Sequence, residues 1–94
     1  MVKKTSGTCN IPLTEEECRK GPYPDSSYEW ERVEKFSSEP SGCYVWLDSL
    51  VYYNKHPSGS NCDESESCLC KPGIPFILLD TYDMANVFFS VGCN

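Results

Sequence analysis

The densest run of apolar and aromatic residues in the middle of the chain is the stretch GCYVWLDSLVYYN. It contains two β-rich segments on either side of Asp48 and Ser49, a pattern that predicts a β-hairpin over Cys43–Asn54. One predicted face carries Cys43, Val45 and Leu47, and the other carries Tyr44 and Trp46. A hairpin that is apolar on both faces is either covered on both sides or offers one face to a partner.

A short helix is predicted at the segment TEEECRK. Thr14 can cap its first turn and Glu17 can reach back to the cap, which is the capping-box pattern. Three glutamates suit the positive end of the helix dipole, an Arg-Lys pair suits the negative end, and a Gly-Pro pair ends the helix. The prediction is a helix over Glu15–Lys20 that holds Cys18 in a fixed place.

Two other segments have the composition of strands. The segment Tyr28–Phe36 is rich in aromatic residues and is flanked by Pro, Ser and Gly, so it fits either an irregular strand or a helix, and we predict the strand. The segment CLCK predicts a short final strand with Cys68 and Cys70 on the same face, because side chains alternate along a strand. The predicted fold is therefore small, disulfide-rich and β-dominated, with one short helix.

Seven cysteines stand at positions 9, 18, 43, 62, 68, 70 and 93. A chain of 94 residues buries a modest core, so covalent staples are expected, and cysteines at this density are typical of an oxidising compartment. The first six cysteines allow fifteen pairings. The working assignment is Cys9–Cys70, Cys18–Cys43 and Cys62–Cys68, which leaves Cys93 unpaired or joined to another chain.

The composition changes near the C-terminus. Residues 72–94 contain no Lys or Arg, and two aspartates are their only charged side chains. A helix is predicted from Thr81, because apolar residues recur there at helical spacing. We expect this apolar tail to bind a protein through residues 74–91, with copies of the same chain among the candidate partners. The expected contact residues are Phe76, Ile77, Leu78, Leu79, Met84, Val87, Phe88 and Val91.

Three parts are expected: an N-terminal extension at 1–8, a disulfide-stapled β-rich module at 9–71 and the apolar docking tail at 72–94. The start MVKKTSG has no apolar segment of the kind found in signal peptides. Since the cysteines indicate the extracellular space or an organelle lumen, we infer that the chain is a mature fragment or one module of a longer precursor. No segment reaches the about 18 apolar residues of a membrane span.

Charge and spacing argue against several classes of site. The net charge is −6 and the basic residues are scattered, so no nucleic-acid partner is predicted. The three cysteines of NCDESESCLC and the nearby His56 lack Cys-x-x-Cys spacing, so disulfides are favoured over zinc and no metal or cofactor is predicted. His56, the single histidine, lies in a Pro-Ser-Gly loop, and the acidic residues are expected at the surface. No catalytic residue and no enzymatic activity are predicted.

The aromatic residues of the hairpin are the main candidates for contact with a ligand. At the surface they would form a sugar-stacking platform or a protein-contact face, whereas in the interior they would fill the core of a small domain. The residues are Tyr44, Trp46, Tyr52 and Tyr53.

The order of the short motifs GTC, TEEEC, PSGCY, VYYN and CLCK resembles a small cysteine-rich repeat module of predicted exported proteins in unicellular algae and other protists. The resemblance covers Gly7–Lys71 and excludes the tail. Where such modules continue in an Ala-rich helix after the second cysteine, this chain has GPYP, so its helix is cut short. The resemblance implies a structural role without catalytic residues, in an exported or organelle-lumenal setting of an alga.

The expected function is that of a non-enzymatic structural or interaction subunit on the oxidising side of a larger assembly. The assembly would be an extracellular fibre or cell-surface protein, or the lumenal side of an algal photosynthetic complex. Two alternatives stay open. One is a carbohydrate-binding module that uses the hairpin aromatics, and the other is a secreted inhibitor-like scaffold that presents the loop His56–Asn61.

Overall fold

The computed structural model describes residues 1–72, which form one five-stranded sheet and one short helix. The elements are β1 (Val2–Lys4), α1 (Glu15–Lys20), β2 (Glu29–Glu34), β3 (Gly42–Trp46), β4 (Leu50–Asn54) and β5 (Glu66–Cys70). The strand order across the sheet is β1-β5-β3-β4-β2. The predicted disulfide-rich, β-dominated fold with one short helix is confirmed. The predicted helix from Thr81, the contact residues of the tail and Cys93 lie outside the described residues.

The predicted hairpin is the centre of the sheet. Strands β3 and β4 pair antiparallel, with Val45 opposite Val51, and both of these valines are fully buried. At the turn, Leu47 and Asp48 both have a φ of 52°, and the Ser49 N–H donates to the Trp46 carbonyl at 3.0 Å. The prediction that Leu47 shares a face with the buried strand residues is wrong, because the positive φ takes it out of the strand alternation and leaves it 56% exposed.

The capping box of α1 forms as predicted. The Glu17 N–H donates to Thr14 Oγ1 at 3.1 Å, and the Thr14 N–H donates to Glu17 Oε1 at 2.8 Å. These bonds satisfy N–H groups that the first turn of a helix otherwise leaves without partners. The helix thereby presents the buried Cys18 to one face of the sheet, where Cys18 is bonded to Cys43 of β3.

The hydrophobic core lies between α1 and the sheet. Side chains alternate along each strand, so every second residue of β3, β4 and β5 faces the helix. The buried members of this core are Leu13, Cys18, Tyr28, Cys43, Val45, Val51 and Leu69, and Trp30, Tyr23, Tyr53 and Met1 pack against them. We call the other side of the sheet, away from α1, the open face.

Strand β2 forms as predicted, but its partner was not foreseen: it pairs parallel with β4. The register shifts between Trp30 and Arg32. Trp30 is aligned with the core residue Val51, whereas Arg32 is aligned with Tyr52 on the open face. The bulge therefore shifts the alternation of side chains, so that Arg32 and Glu34 lie on the open face.

Strand β1 belongs to the sheet, so the sheet begins inside the segment that the sequence analysis set apart as an N-terminal extension at 1–8. Val2 pairs with Cys70 and Lys4 pairs with Cys68, both antiparallel. Lys3 forms an ion pair with Asp48 of the hairpin turn at 3.0 Å. Backbone pairing and this ion pair join the first residues of the chain to the module.

Three disulfides join the described cysteines: Cys9–Cys70, Cys18–Cys43 and Cys62–Cys68. These are the three pairs of the working assignment. Their Cα–Cα distances are 5.5, 5.5 and 5.4 Å, within the usual range. The first and third meet on β5 and form a small buried cluster of their own, so they staple the open face of the sheet, while the second staples the helix side.

Candidate binding groove on the open face of the sheet

A groove with a volume of about 270 Å³ crosses the open face over β2, β4 and β3 and reaches the start of β5. It is lined by Arg32, Glu34, Phe36, Glu39, Tyr44, Trp46, Tyr52 and Glu66. The strand register explains why most of these residues meet: Tyr44 lies opposite Tyr52, Trp46 lies opposite Glu66, and Arg32 is aligned with Tyr52. We call this set of residues the groove.

The floor of the groove is a pair of stacked tyrosines. The rings of Tyr44 and Tyr52 lie 5.4 Å apart at an interplanar angle of 18°, and both residues are buried. The guanidinium of Arg32 lies 5.1 Å from the centre of the Tyr52 ring, a favourable cation–π arrangement. The Tyr44 hydroxyl donates to the Glu34 carboxylate. Burial, and then this hydrogen bond, raise the pKa of Tyr44 well above its ordinary value, so the hydroxyl stays protonated.

The rim of the groove carries two exposed aromatic side chains. Trp46 ends β3 and is 42% exposed, and Phe36 follows β2 and is 52% exposed. Large apolar side chains at the surface lose the stabilisation that burial would give them. Two of them on one concave site are typical of a surface that meets a partner.

Three carboxylates line the groove. Burial, and then the negative charge of Glu34, raise the pKa of Glu66. Glu39 Oε1 is buried, and no donor among the described residues makes a hydrogen bond to it. Against these glutamates the groove has a single basic residue, Arg32. The site is therefore acidic, and one of its acceptors is unsatisfied.

The segment that brings Phe36 and Glu39 to the groove is held by Asn54, at the end of β4. Asn54 is 2% exposed. Its Nδ2 lies 3.0 Å from the carbonyl oxygens of both Glu39 and Pro40, and its Oδ1 accepts the His56 N–H at 3.2 Å. The buried amide thus fixes one wall of the groove through backbone atoms.

Three of the four predicted sugar-stacking residues meet at the groove: Tyr44, Trp46 and Tyr52. Only Trp46 is exposed, because Tyr44 and Tyr52 are buried in the floor. Tyr53 lies on the other face and packs against the core, since it follows Tyr52 by one residue in a strand. The sequence analysis did not place Arg32 and the glutamates beside these aromatic residues. Arg32 and Glu34 arrive through the parallel pairing of β2 with β4 and the bulge in β2, Glu66 arrives through the pairing of β3 with β5, and Glu39 lies in the segment that Asn54 holds.

The loop His56–Asn61, which the inhibitor-like alternative would present, is tied to residues 39–41. Ser41 Oγ donates to the His56 carbonyl at 2.6 Å and accepts the Gly59 N–H at 2.7 Å. A Cβ at Gly59 would lie 2.3 Å from the Glu39 carbonyl oxygen, so the close approach requires glycine. His56 Nδ1 accepts the N–H of Ser58 at 3.0 Å, which is a local structural bond.

Within residues 1–72, no three His, Cys, Asp or Glu side chains come together as a metal ion requires. Over the same part of the chain there is no helix with the length and apolar character needed to cross a membrane. The tail contact residues predicted between Phe76 and Val91 lie outside the described residues.

No family model, no curated protein and no solved structure matches the chain. The likeness to the algal cysteine-rich module therefore stays a prediction. What the protein does has to be inferred from the chemistry of the groove and from the scaffold that holds it.

Proposed function

We propose that the protein is a non-enzymatic interaction module of an oxidising compartment and that it binds its partner in the groove. The observation that carries the proposal is the exposure of Trp46 and Phe36 at the rim of a concave, acidic site. In a small domain without a binding role, we would expect the side chains at these positions to be buried or polar.

The scaffold supports this role because disulfides and buried hydrogen bonds tie the elements around the groove together. Three disulfides in residues 1–72 are compatible with an oxidising environment. Two of them staple β5, the strand that carries Glu66, and Asn54 fixes the segment that carries Phe36. A site held in one shape loses little conformational entropy on binding, which favours affinity.

The setting of the module is part of the proposal. We place it in the extracellular space or an organelle lumen, as a subunit of an extracellular fibre or cell-surface protein or of the lumenal side of an algal photosynthetic complex. In this proposal residues 74–91 supply a second contact with the assembly. The groove and the tail would then act as two linked binding elements, and two linked contacts bind more tightly than either alone.

A carbohydrate-binding module is the second candidate, and the exposed Trp46 beside carboxylates favours it. An indole ring can stack on a sugar ring, and carboxylate oxygens can accept hydrogen bonds from sugar hydroxyls. Because Tyr44 and Tyr52 are buried and Tyr53 packs against the core, Trp46 is the one exposed residue among the four that were predicted to stack on a sugar.

The test compares the two ligand classes directly. The oxidised full-length chain is applied to a peptide array and to a glycan array, alongside Trp46→Ala and Leu47→Ala. Leu47 is a matched control, because it is the next residue, is also exposed and does not line the groove. The proposal expects peptide binding that Trp46→Ala abolishes and Leu47→Ala preserves. Glycan binding that Trp46→Ala abolishes and Leu47→Ala preserves would establish the second candidate. Binding to either array that Trp46→Ala leaves unchanged would overturn both candidates.

A further inference from the structure

We infer that the groove takes a basic side chain, Arg or Lys, of a peptide segment in the partner protein. The inference rests on the proposed function and names the ligand class of the same site. It follows from three features of the groove: uncompensated carboxylates, a buried acceptor without a donor, and exposed aromatic rings beside them.

The carboxylates of the groove have no cationic partner among the described residues. Glu34, Glu39 and Glu66 take part in none of the ion pairs formed within residues 1–72. The one guanidinium of the groove, on Arg32, is already paired with Glu31 at 3.1 Å and lies over the Tyr52 ring. The groove therefore holds an excess of negative charge that an incoming cation would neutralise.

The unsatisfied oxygen of Glu39 adds a directional requirement. A buried carboxylate oxygen without a hydrogen-bond donor is unfavourable. Glu39 is only partly buried and lines the groove, so a rotation of its carboxylate into the groove would let the N–H group of a ligand remove this cost. Guanidinium and ammonium groups consist of donors without acceptors, so they can bond to the oxygen without placing a lone pair against the other carboxylates. A sugar hydroxyl donates as well, but it leaves the negative charge in place.

The aromatic rim suits the rest of such a side chain. Arg and Lys have aliphatic stems that pack on apolar surface while the charged group reaches a polar site. Trp46 and Phe36 offer exposed rings at the edge of the acidic groove, and a cation near a ring face gains further attraction. The aliphatic stem of such a side chain would thus contact the aromatic rim, and its charged group would contact the carboxylates of the same groove.

Charge also argues against this chain as its own ligand. Residues 73–94 contain Asp80 and Asp83 and no Lys or Arg, so the tail would add negative charge to the groove. A second copy of the chain has a net charge of −6, which opposes self-association at this acidic site. A basic partner has the complementary charge.

The test starts from the tightest-binding sequence of the peptide array, measured in solution by fluorescence polarisation with the oxidised full-length chain. A second peptide carries citrulline in place of Arg and Gln in place of Lys, which keeps size and removes charge. We expect the neutral peptide to bind at least about tenfold more weakly. We also expect Glu39→Gln and Glu66→Gln each to weaken binding of the basic peptide several-fold, whereas Glu29→Gln, on β2 outside the groove, leaves it unchanged.

Equal binding of the basic and the neutral peptide would overturn the inference. If Trp46→Ala still abolished that binding, the groove would remain the binding site and only the ligand class would be wrong. If the groove glutamates mattered no more than Glu29, the inference would likewise fall. Thermal unfolding of each variant verifies that the fold is intact, so a loss of binding can be ascribed to the groove.

Discussion

The side chain of Asn54 bonds to both backbone groups of Phe36: Oδ1 accepts the Phe36 N–H at 2.9 Å, and Nδ2 donates to the Phe36 carbonyl at 2.7 Å. These two hydrogen bonds replace the backbone hydrogen bonds that a neighbouring strand would make to Phe36, at the point where β2 has ended. Because Phe36 stands on the rim of the groove, the position of an exposed aromatic residue is set by a buried polar one.

Asn54→Leu should lower the free energy of unfolding by about 3 kcal/mol, because several buried backbone groups lose their partner at once. Urea unfolding measures the loss. Asn54→Asp keeps the acceptor oxygen and removes the donor, so it should also be destabilising. Asn10→Ala, at an exposed asparagine, is the control and should change stability by less than about 0.5 kcal/mol. An Asn54→Leu protein as stable as the control would contradict this account.

The disulfides should differ in their contribution to stability according to the loops they close. Cys18–Cys43 spans 25 residues and Cys62–Cys68 spans 6. The chain-entropy relation gives about 3.5 kcal/mol for the first and about 2 kcal/mol for the second. Replacing both cysteines of each pair by alanine and measuring urea unfolding tests the order. All four cysteines are buried, so both variants lose buried volume and the loop length sets the expected difference. The reverse order of stability would contradict this chain-entropy account.

The turn residue Leu47 should be replaceable with a gain in stability. Its φ of 52° is costly for leucine, and its side chain is 56% exposed. Leu47→Asn should therefore raise the free energy of unfolding by about 0.5–1 kcal/mol, whereas Leu47→Val should lower it by a similar amount. Thermal and urea unfolding of the two variants measure the difference. If valine were tolerated as well as asparagine, the turn would not have this conformation.

Glu66 should make the protein less stable as the pH rises. Burial, and then the charge of Glu34, raise the pKa of Glu66 above its ordinary value of 4.5, so the folded state binds this proton more tightly than the unfolded state. The resulting contribution is fully present below pH 4.5 and is lost as the pH rises through the raised pKa. Glu66→Gln should therefore raise the Tm at pH 7 by roughly a few degrees and change it little at pH 3. Glu64→Gln, at an exposed neighbour, is the control, and an equal effect of the two changes would refute the prediction.

Local patterns were sufficient for the helix and the hairpin. The capping box at Thr14 and Glu17 lies within four residues, and the hairpin depends on two neighbouring β-rich runs, so both are written in short stretches of sequence. The parallel pairing of β2 with β4 was not predicted, because it depends on a register between segments about 20 residues apart. The edge strand at Val2–Lys4 was missed because three residues carry no alternating pattern and because its partner, β5, lies more than 60 residues later in the chain.

The groove was predictable only in part. Alternation along β3 places Tyr44 and Trp46 on one face, and the sequence analysis used that rule. It could not place Arg32 and Glu34 beside them, because the bulge after Trp30 changes the alternation of β2 at a point where no proline or glycine marks it. Nor could the motif VYYN reveal why its asparagine matters, since the carbonyl groups of Phe36, Glu39 and Pro40 that Asn54 binds lie 14 to 18 residues earlier in the chain.

The pairing of Val2 with Cys70 brings the entry and the exit of the described domain to one edge of the sheet, where antiparallel partners lie about 5 Å apart. Because these two ends are close together, residues 1–72 could be inserted into a surface loop of another protein without distorting that loop. Trp46 and Glu66 of the groove lie at the other end of β5 from Cys70, so the part of the binding surface that they form would face away from the point of insertion.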